Sequence, residues 1–106
     1  MQQAERRKLL AKAHTLGFEY ERIYRGCAQC TIAAIQDTLN IRDDSVFKAA
    51  NGFAAGGGRT GIGNCGGYIG GILCIGQLSG RGRDKFEIKD NSRFRCYDLS
   101  KQFTEI

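Results

Sequence analysis

Asn64-Cys65-Gly66-Gly67-Tyr68-Ile69-Gly70-Gly71-Ile72-Leu73-Cys74-Ile75-Gly76-Gln77-Leu78, closed by Ser79 and Gly80, is the stretch on which the fold turns. The 14 weakly polar residues from Cys65 to Leu78 fall short of the roughly 20 that a membrane span requires. They also lack the period-two alternation of a half-buried strand. A helix is the remaining reading, with Asn64 as its N-cap and Gly80 as its stop. Each interior glycine costs such a helix about 1 kcal/mol relative to alanine. Close packing has to compensate for Gly66, Gly67, Gly70, Gly71 and Gly76. Gly63, Gly67, Gly70 and Cys74 recur at i, i+4, i+7 and i+11, which predicts a smooth strip on one face. Another helix backbone, or a flat cofactor, fits such a strip.

The flanking sequence is helical as well. Leu9, Ala13 and Leu16 share a face of a helix over Ala4 to Leu16, with Gly17 as a stop. A second helix runs from Gly26 to Leu39, with Ile32, Ile35 and Leu39 on one stripe and Asn40 at its end. Asp43, Asp44 and Ser45 start a third, through Phe47, Ala50 and Phe53. The glycine block Gly56 to Gly63 interrupts the pattern. Gly80 to Asn91 is polar and loop-like, and Ser92 to Phe103 reads as a last short helix with Phe94, Leu99 and Phe103 inward. The predicted fold is all-α: a compact bundle of about four to five short helices with a glycine-rich central loop and helix. At 106 residues the chain is one domain, residues 1–106, with no room for a second core.

The N-terminus, Met-Gln-Gln-Ala-Glu-Arg-Arg-Lys, lacks the apolar run of a signal peptide, so the expectation is a soluble, cytoplasmic protein without a membrane partner. The net charge of +5 comes from scattered bases: Arg6, Arg7 and Lys8 at one end, Arg81, Arg83 and Lys85 near the other. Acidic residues interleave with them and no aromatic–basic RNA-binding motif is present, so nucleic acid is not the expected partner.

Gly61-Ile62-Gly63-Asn64-Cys65-Gly66 matches G-x-G-x-x-G, with Asp84 downstream. That motif binds a dinucleotide only after a strand, and Phe53-Ala54-Ala55-Gly56 is not one. His14 is the only histidine, which removes His-based zinc sites and Ser-His-Asp machinery, and its charged neighbours place it at the surface. The chemistry therefore falls to cysteine. Five cysteines cannot all pair within one chain, and in a reducing compartment they bind metal or perform redox chemistry more often than they form structural bridges. Cys27 and Cys30 form a C-x-x-C at a helix start, and Cys65 sits at another. Cys74, nine residues beyond Cys65, is half a turn out of phase with it at 100° per residue, so it is a plain buried cysteine. Cys96 lies in the last helix.

Gly26-Cys27-Ala28-Gln29, Phe53-Ala54-Ala55-Gly56-Gly57-Gly58-Arg59, Cys65-Gly66-Gly67-Tyr68-Ile69-Gly70 and Phe94-Arg95-Cys96-Tyr97-Asp98-Leu99 occur in an order similar to that of the C-GCAxxG-C-C family. That family comprises small helical redox-active proteins, mostly from anaerobes, some of them selenoproteins. A related module occurs in split-Soret cytochromes c. The resemblance covers about Tyr24 to Leu99, and its most specific element is G-x-C-G-x-x-x-G after a G-G-G-R block. Gly67 replaces the family's alanine, and the family's fourth cysteine has no counterpart. The resemblance implies Cys27, Cys65 and Cys96 as metal ligands. A four-thiolate cluster then needs its last ligand from Cys30, a partner chain, or residues beyond Ile106.

The leading expectation is an iron–sulfur cluster, 2Fe–2S or 4Fe–4S, on Cys27, Cys65 and Cys96, serving electron transfer with a redox protein partner or an oxidoreductase accessory role. A homodimer is expected, because a second copy could supply the missing ligand and the glycine strip could lie at its axis. One alternative is a thiol–disulfide oxidoreductase using Cys27 with Cys30 or with Cys65. The other is a non-catalytic helical assembly subunit that docks through the glycine strip.

Overall fold

A computed structural model describes residues 2–58, 60, 61, 63, 65–87, 96–99 and 101. Among the described residues the regular structure is entirely helical: α1 (Gln3–Ile23), α2 (Cys27–Leu39), α3 (Asp44–Ala49) and α4 (Gly66–Ser79), with 3₁₀ turns at Asn51–Gly56 and Arg83–Lys85. Residues 96–99 and 101 are also helical. The rest of the expected last helix, residues 92–95, 100, 102 and 103, lies outside the described residues.

α2 is the centre of the bundle. α1 folds back on it as an antiparallel hairpin through Tyr24, Arg25 and Gly26. Gly17 does not stop α1. It stays right-handed inside the helix, where a Cβ would stand 3.7 Å from the Ala34 methyl, an ordinary packing distance. The stop comes at Arg25 and Gly26, whose φ angles are +59° and +96°. A glycine marks a helix end only where the chain must turn left-handed. Arg25, which carries a Cβ, bears about 1–2 kcal/mol of steric cost there.

α4 packs on the other side of α2, and the two run parallel. Gly66 lies against Cys27 and Ala28, Gly70 against Ala28 and Thr31, and Gln77 reaches Gln36, whose Nε2 donates to Gln77 Oε1 at 2.9 Å. Both contact sequences ascend together, so both helices begin at the same end. The glycines tolerate the tight contact: a Cβ on Gly70 would stand 2.8 Å from Thr31 Cβ and 2.9 Å from the Ala28 carbonyl oxygen. The packing strip is therefore Gly66, Gly70 and Cys74, all buried. Gly63 and Gly67, expected on the strip, are exposed. α4 begins at Gly66 with Cys65, not Asn64, as its N-cap, and α2 presses on the face of Gly66 and Gly70.

The expected third helix divides in two. Asp43 caps α3 as its sequence suggests, Oδ1 accepting from the Ser45 and Val46 N–H groups. The helix ends at Ala49 and tightens into the 3₁₀ turn at Asn51-Gly52, two weak helix formers. Buried Ala50 at this junction joins Ala28, Ile32 and Cys74 in the core, with Ile35, Val46, Phe47 and Leu73 packed around them. Three of the four buried side chains, Ala28, Ala50 and Cys74, are small, so helix backbones approach closely. At the far end of the α2–α4 pair, buried Gln36 also donates to the Asp43 carbonyl, and Gln77 donates to the Ile41 carbonyl. These bonds serve the Gln36 amide nitrogen and both polar atoms of the Gln77 side chain, as burial requires.

Candidate functional site: two cysteines at paired helix starts

Because α2 and α4 are parallel, their first turns lie together. Cys27 is the first residue of α2 and Cys65 the N-cap of α4. Both flank Gly66: Cys65 precedes it in the chain, and Cys27 Sγ fills the space that a Gly66 Cβ would need. Cys65 Sγ lies on the adjoining face, 3.8 Å from where a Gly67 Cβ would be. Cys65 is exposed and Cys27 half-buried, so the pair sits at the surface over a rigid helix–helix contact. Thr31 Oγ1 donates to the Cys27 carbonyl at 2.8 Å, holding the first turn of α2.

Among the described residues neither helix start has a side-chain cap, and neither first turn holds an acidic residue. The first-turn backbone N–H groups and the positive ends of two helix dipoles therefore converge beside two sulfurs. Such an end favours negative charge, whether on a thiolate or on a thiolate-bound cluster.

The other cysteines differ. Cys74 is 3% exposed, and burial among apolar groups pushes its thiol up to about 11. Cys65 and Cys74 thus part company as their half-turn phase difference requires. Cys30 is also buried; desolvation first, then hydrogen bonding to the Glu21 carboxylate, push its thiol up to about 11. Its Sγ donates to the Arg25 carbonyl at 3.4 Å, toward the α1–α2 turn, while Cys27 packs on α4. In this arrangement Cys30 is a buried protonated thiol. Cys96 is half-buried in the helical residues 96–99. Leu99, one turn on, packs on α4: a Gly71 Cβ would stand 3.3 Å from Leu99 Cδ2. Cys96 thus belongs to a turn docked one helical turn beyond Gly67. None of the five cysteines is joined in a disulfide.

Among the described residues, no group of three or more His, Cys, Asp or Glu converges to hold a metal ion. The donors gathered at the helix starts are thiols alone, which suit an iron–sulfur centre in kind and leave a hard cation unserved. His14 is exposed on α1.

A cleft of about 620 Å³ opens beside Cys30, walled by Tyr20, Tyr24, Arg25 and Phe47. Its polar groups largely serve one another. Asp37 accepts from Tyr20 Oη at 2.5 Å and Arg42 Nε at 2.6 Å, and Gln29 donates to the Phe47 carbonyl. The Arg42 bond, then the Tyr20 bond, hold the Asp37 carboxyl below its usual range, and the bond to Asp37 raises the Tyr20 phenol.

Sequence reasoning did not locate Gly66 as the glycine under the cysteine pair; the Gly66, Gly70 and Cys74 spacing of i, i+4 and i+8 carried that signal. Nor did it assign the Arg25–Gly26 turn.

Among the described residues the chain is a small helical bundle that carries two cysteines at paired helix starts. Residues 26–106 match the family described as "Putative redox-active protein (C_GCAxxG_C_C)", and the chain belongs to that family. No curated protein and no solved structure matches it. Among the described residues no helix is long and apolar enough to cross a membrane.

Proposed function

We propose that the chain is an electron-transfer module that holds an iron–sulfur cluster through Cys27, Cys65 and Cys96. The observation carrying this reading is the shared, uncapped start of α2 and α4 at the first two of these cysteines. Such a centre would supply one-electron chemistry, and the chain's part is to bind it, orient it and offset its negative charge. Docking of Leu99 on Gly71 supports Cys96 as the third thiolate. A second copy of the chain is the proposed source of any further ligand. This no longer depends on the glycine strip, because Gly66 and Gly70 pack within the chain. A redox protein would donate or accept the electron. Anaerobic reconstitution with iron and sulfide should give brown protein with iron and acid-labile sulfide in similar amounts. Colourless, iron-free protein after that treatment rejects the cluster.

A second reading is favoured by the pairing of Cys27 and Cys65 alone around Gly66. In that case the two thiols reduce a disulfide substrate: their S–H bonds break, a Cys27–Cys65 disulfide forms, and the substrate leaves as two thiols. Oxidised protein would then be two mass units lighter, with the bond mapped to these two residues.

A further inference from the structure

We infer that Cys30 is a positioning residue for Cys27: its thiol, by donating to the Arg25 carbonyl, holds the left-handed Arg25–Gly26 turn from which Cys27 enters α2. The inference rests on the reading of Cys27 as a working thiol.

The first hydrogen bond of the α2 ladder runs from the Cys30 N–H to the Gly26 carbonyl at 2.9 Å. The Arg25 carbonyl lies one residue earlier, outside the ladder. The Cys30 Sγ reaches it at 3.4 Å, so one residue grips the turn twice, through its N–H and its thiol. From the other side, the Arg25 N–H donates to the Glu21 carbonyl at 3.2 Å, which ties the turn to the end of α1. This grip matters because Arg25, with φ of +59°, occupies a region that residues with a Cβ seldom adopt. Left unsupported, Arg25 would relax toward negative φ, and the next residues, Gly26 and Cys27, would move with it. Cys27 has little room to move without losing its seat against Gly66. The single S–H faces both the Arg25 carbonyl and the Glu21 carboxylate at the end of α1, and a bond to either ties Cys30 to the turn and needs the proton that burial favours. The C-x-x-C spacing thus joins two different roles: Cys27 is presented to α4 and the surface, and Cys30 braces the turn behind it.

The test is the rate of iodoacetamide alkylation at Cys27 relative to Cys65 in the reduced full-length chain, resolved by peptide mass spectrometry. Cys30→Ala should shift that ratio by about two- to thirteenfold, the range a single neutral hydrogen bond supplies. Cys30→Ser, which keeps an O–H donor, should hold the ratio within about twofold of the parent. An unchanged ratio in Cys30→Ala overturns the inference. Equal shifts in both variants also overturn it, because they show that the sulfur itself is needed, as ligand or redox partner. If Cys30→Ala fails to fold, adding Arg25→Gly should restore folding, since glycine takes positive φ without strain; failure of that rescue counts against the brace. The ratio is read on thiols alone, so loss of the cluster reading would leave this measurement intact.

Discussion

Gly66 of α4 lies so close to Cys27 of α2 that a Cβ on Gly66 would occupy the place of the Cys27 sulfur. One missing side chain therefore does two things: it lets two parallel helices touch, and it seats Cys27 beside Cys65. Fold and site share this contact, so changing the glycine tests both.

Gly66→Ala should be destabilising. Its methyl would collide with Cys27 Sγ and lie 2.6 Å from the Ala28 backbone nitrogen, which cannot rotate away. Overpacking of this kind costs about 1–3 kcal/mol, more than the roughly 1 kcal/mol that alanine gains over glycine in a helix. Gly76→Ala is the matched control, because no atom of the described residues lies within 4 Å of its Cβ position. Thermal melts should show Gly66→Ala below the parent and Gly76→Ala slightly above it. A raised melting temperature for Gly66→Ala would show that α2 and α4 do not make this contact.

Cys74 should make the protein less stable at high pH. Its folded thiol sits near 11, above the reference value of 9.0. Between those values the unfolded chain releases a proton that the folded chain retains, so deprotonation favours unfolding. The contribution is constant below about pH 9 and lost progressively up to about pH 11. The neighbours Ala28, Ile32 and Ala50 carry no charge to offset this. Urea midpoints should fall across that window in the parent and fall less in Cys74→Ala. Equal slopes in the two proteins would show that Cys74 titrates normally.

Tyr20 and Asp37 tie the α1–α2 hairpin together, so Tyr20→Phe should cost about 0.5–1.5 kcal/mol, the net worth of one hydrogen bond. The Asp37 carboxyl is held low by Arg42 and Tyr20, so its contribution is present above the unfolded value of about 4 and lost as pH falls through the depressed one. The stability gap between the parent and Asp37→Asn, measured by urea denaturation, should close on acidification. A gap that persists at pH 2 would assign the loss to packing.

The sequence carried the helical class because its glycines, caps and apolar spacing agree with one another. Gly26, Asn40 and Asp43 sit where helix-end chemistry places them, and α2 was legible to within a residue. The misses arise where tertiary contact decides. Gly17 resembles a stop only to a reader who cannot see that its backbone remains right-handed against Ala34. The strip on α4 was misread because two adjacent stripes share Gly70 and Cys74, and the approach of α2 selects Gly66 over Gly67. Cys27, Cys65 and Cys96 could be named from the family resemblance, whereas the parallel packing that brings the first two together is a property of the chain path. No local spacing encodes it. The inward turn of Cys30 toward Arg25 was hidden for a related reason: C-x-x-C spacing fixes the angle between two side chains on a helix, not what stands on either side.

The five thiols should react in an order that follows their environments. Cys65 is exposed at the start of α4, whereas Cys27 and Cys96 are half-buried and Cys30 and Cys74 fully buried. Alkylation proceeds through the thiolate, and two effects protect the last pair. A thiol near 11 is ionised to only about one part in a thousand at pH 8. Reagent also reaches it only when the core opens, which adds to the protection. Cys65 should therefore be modified first in the reduced native chain, and Cys30 and Cys74 only on a timescale set by unfolding. In urea above the unfolding midpoint the five rates should converge. Prompt native-state labelling of Cys74 would show that the α2–α4 core is open in solution, and prompt labelling of Cys30 would show that its thiol is not held against Arg25.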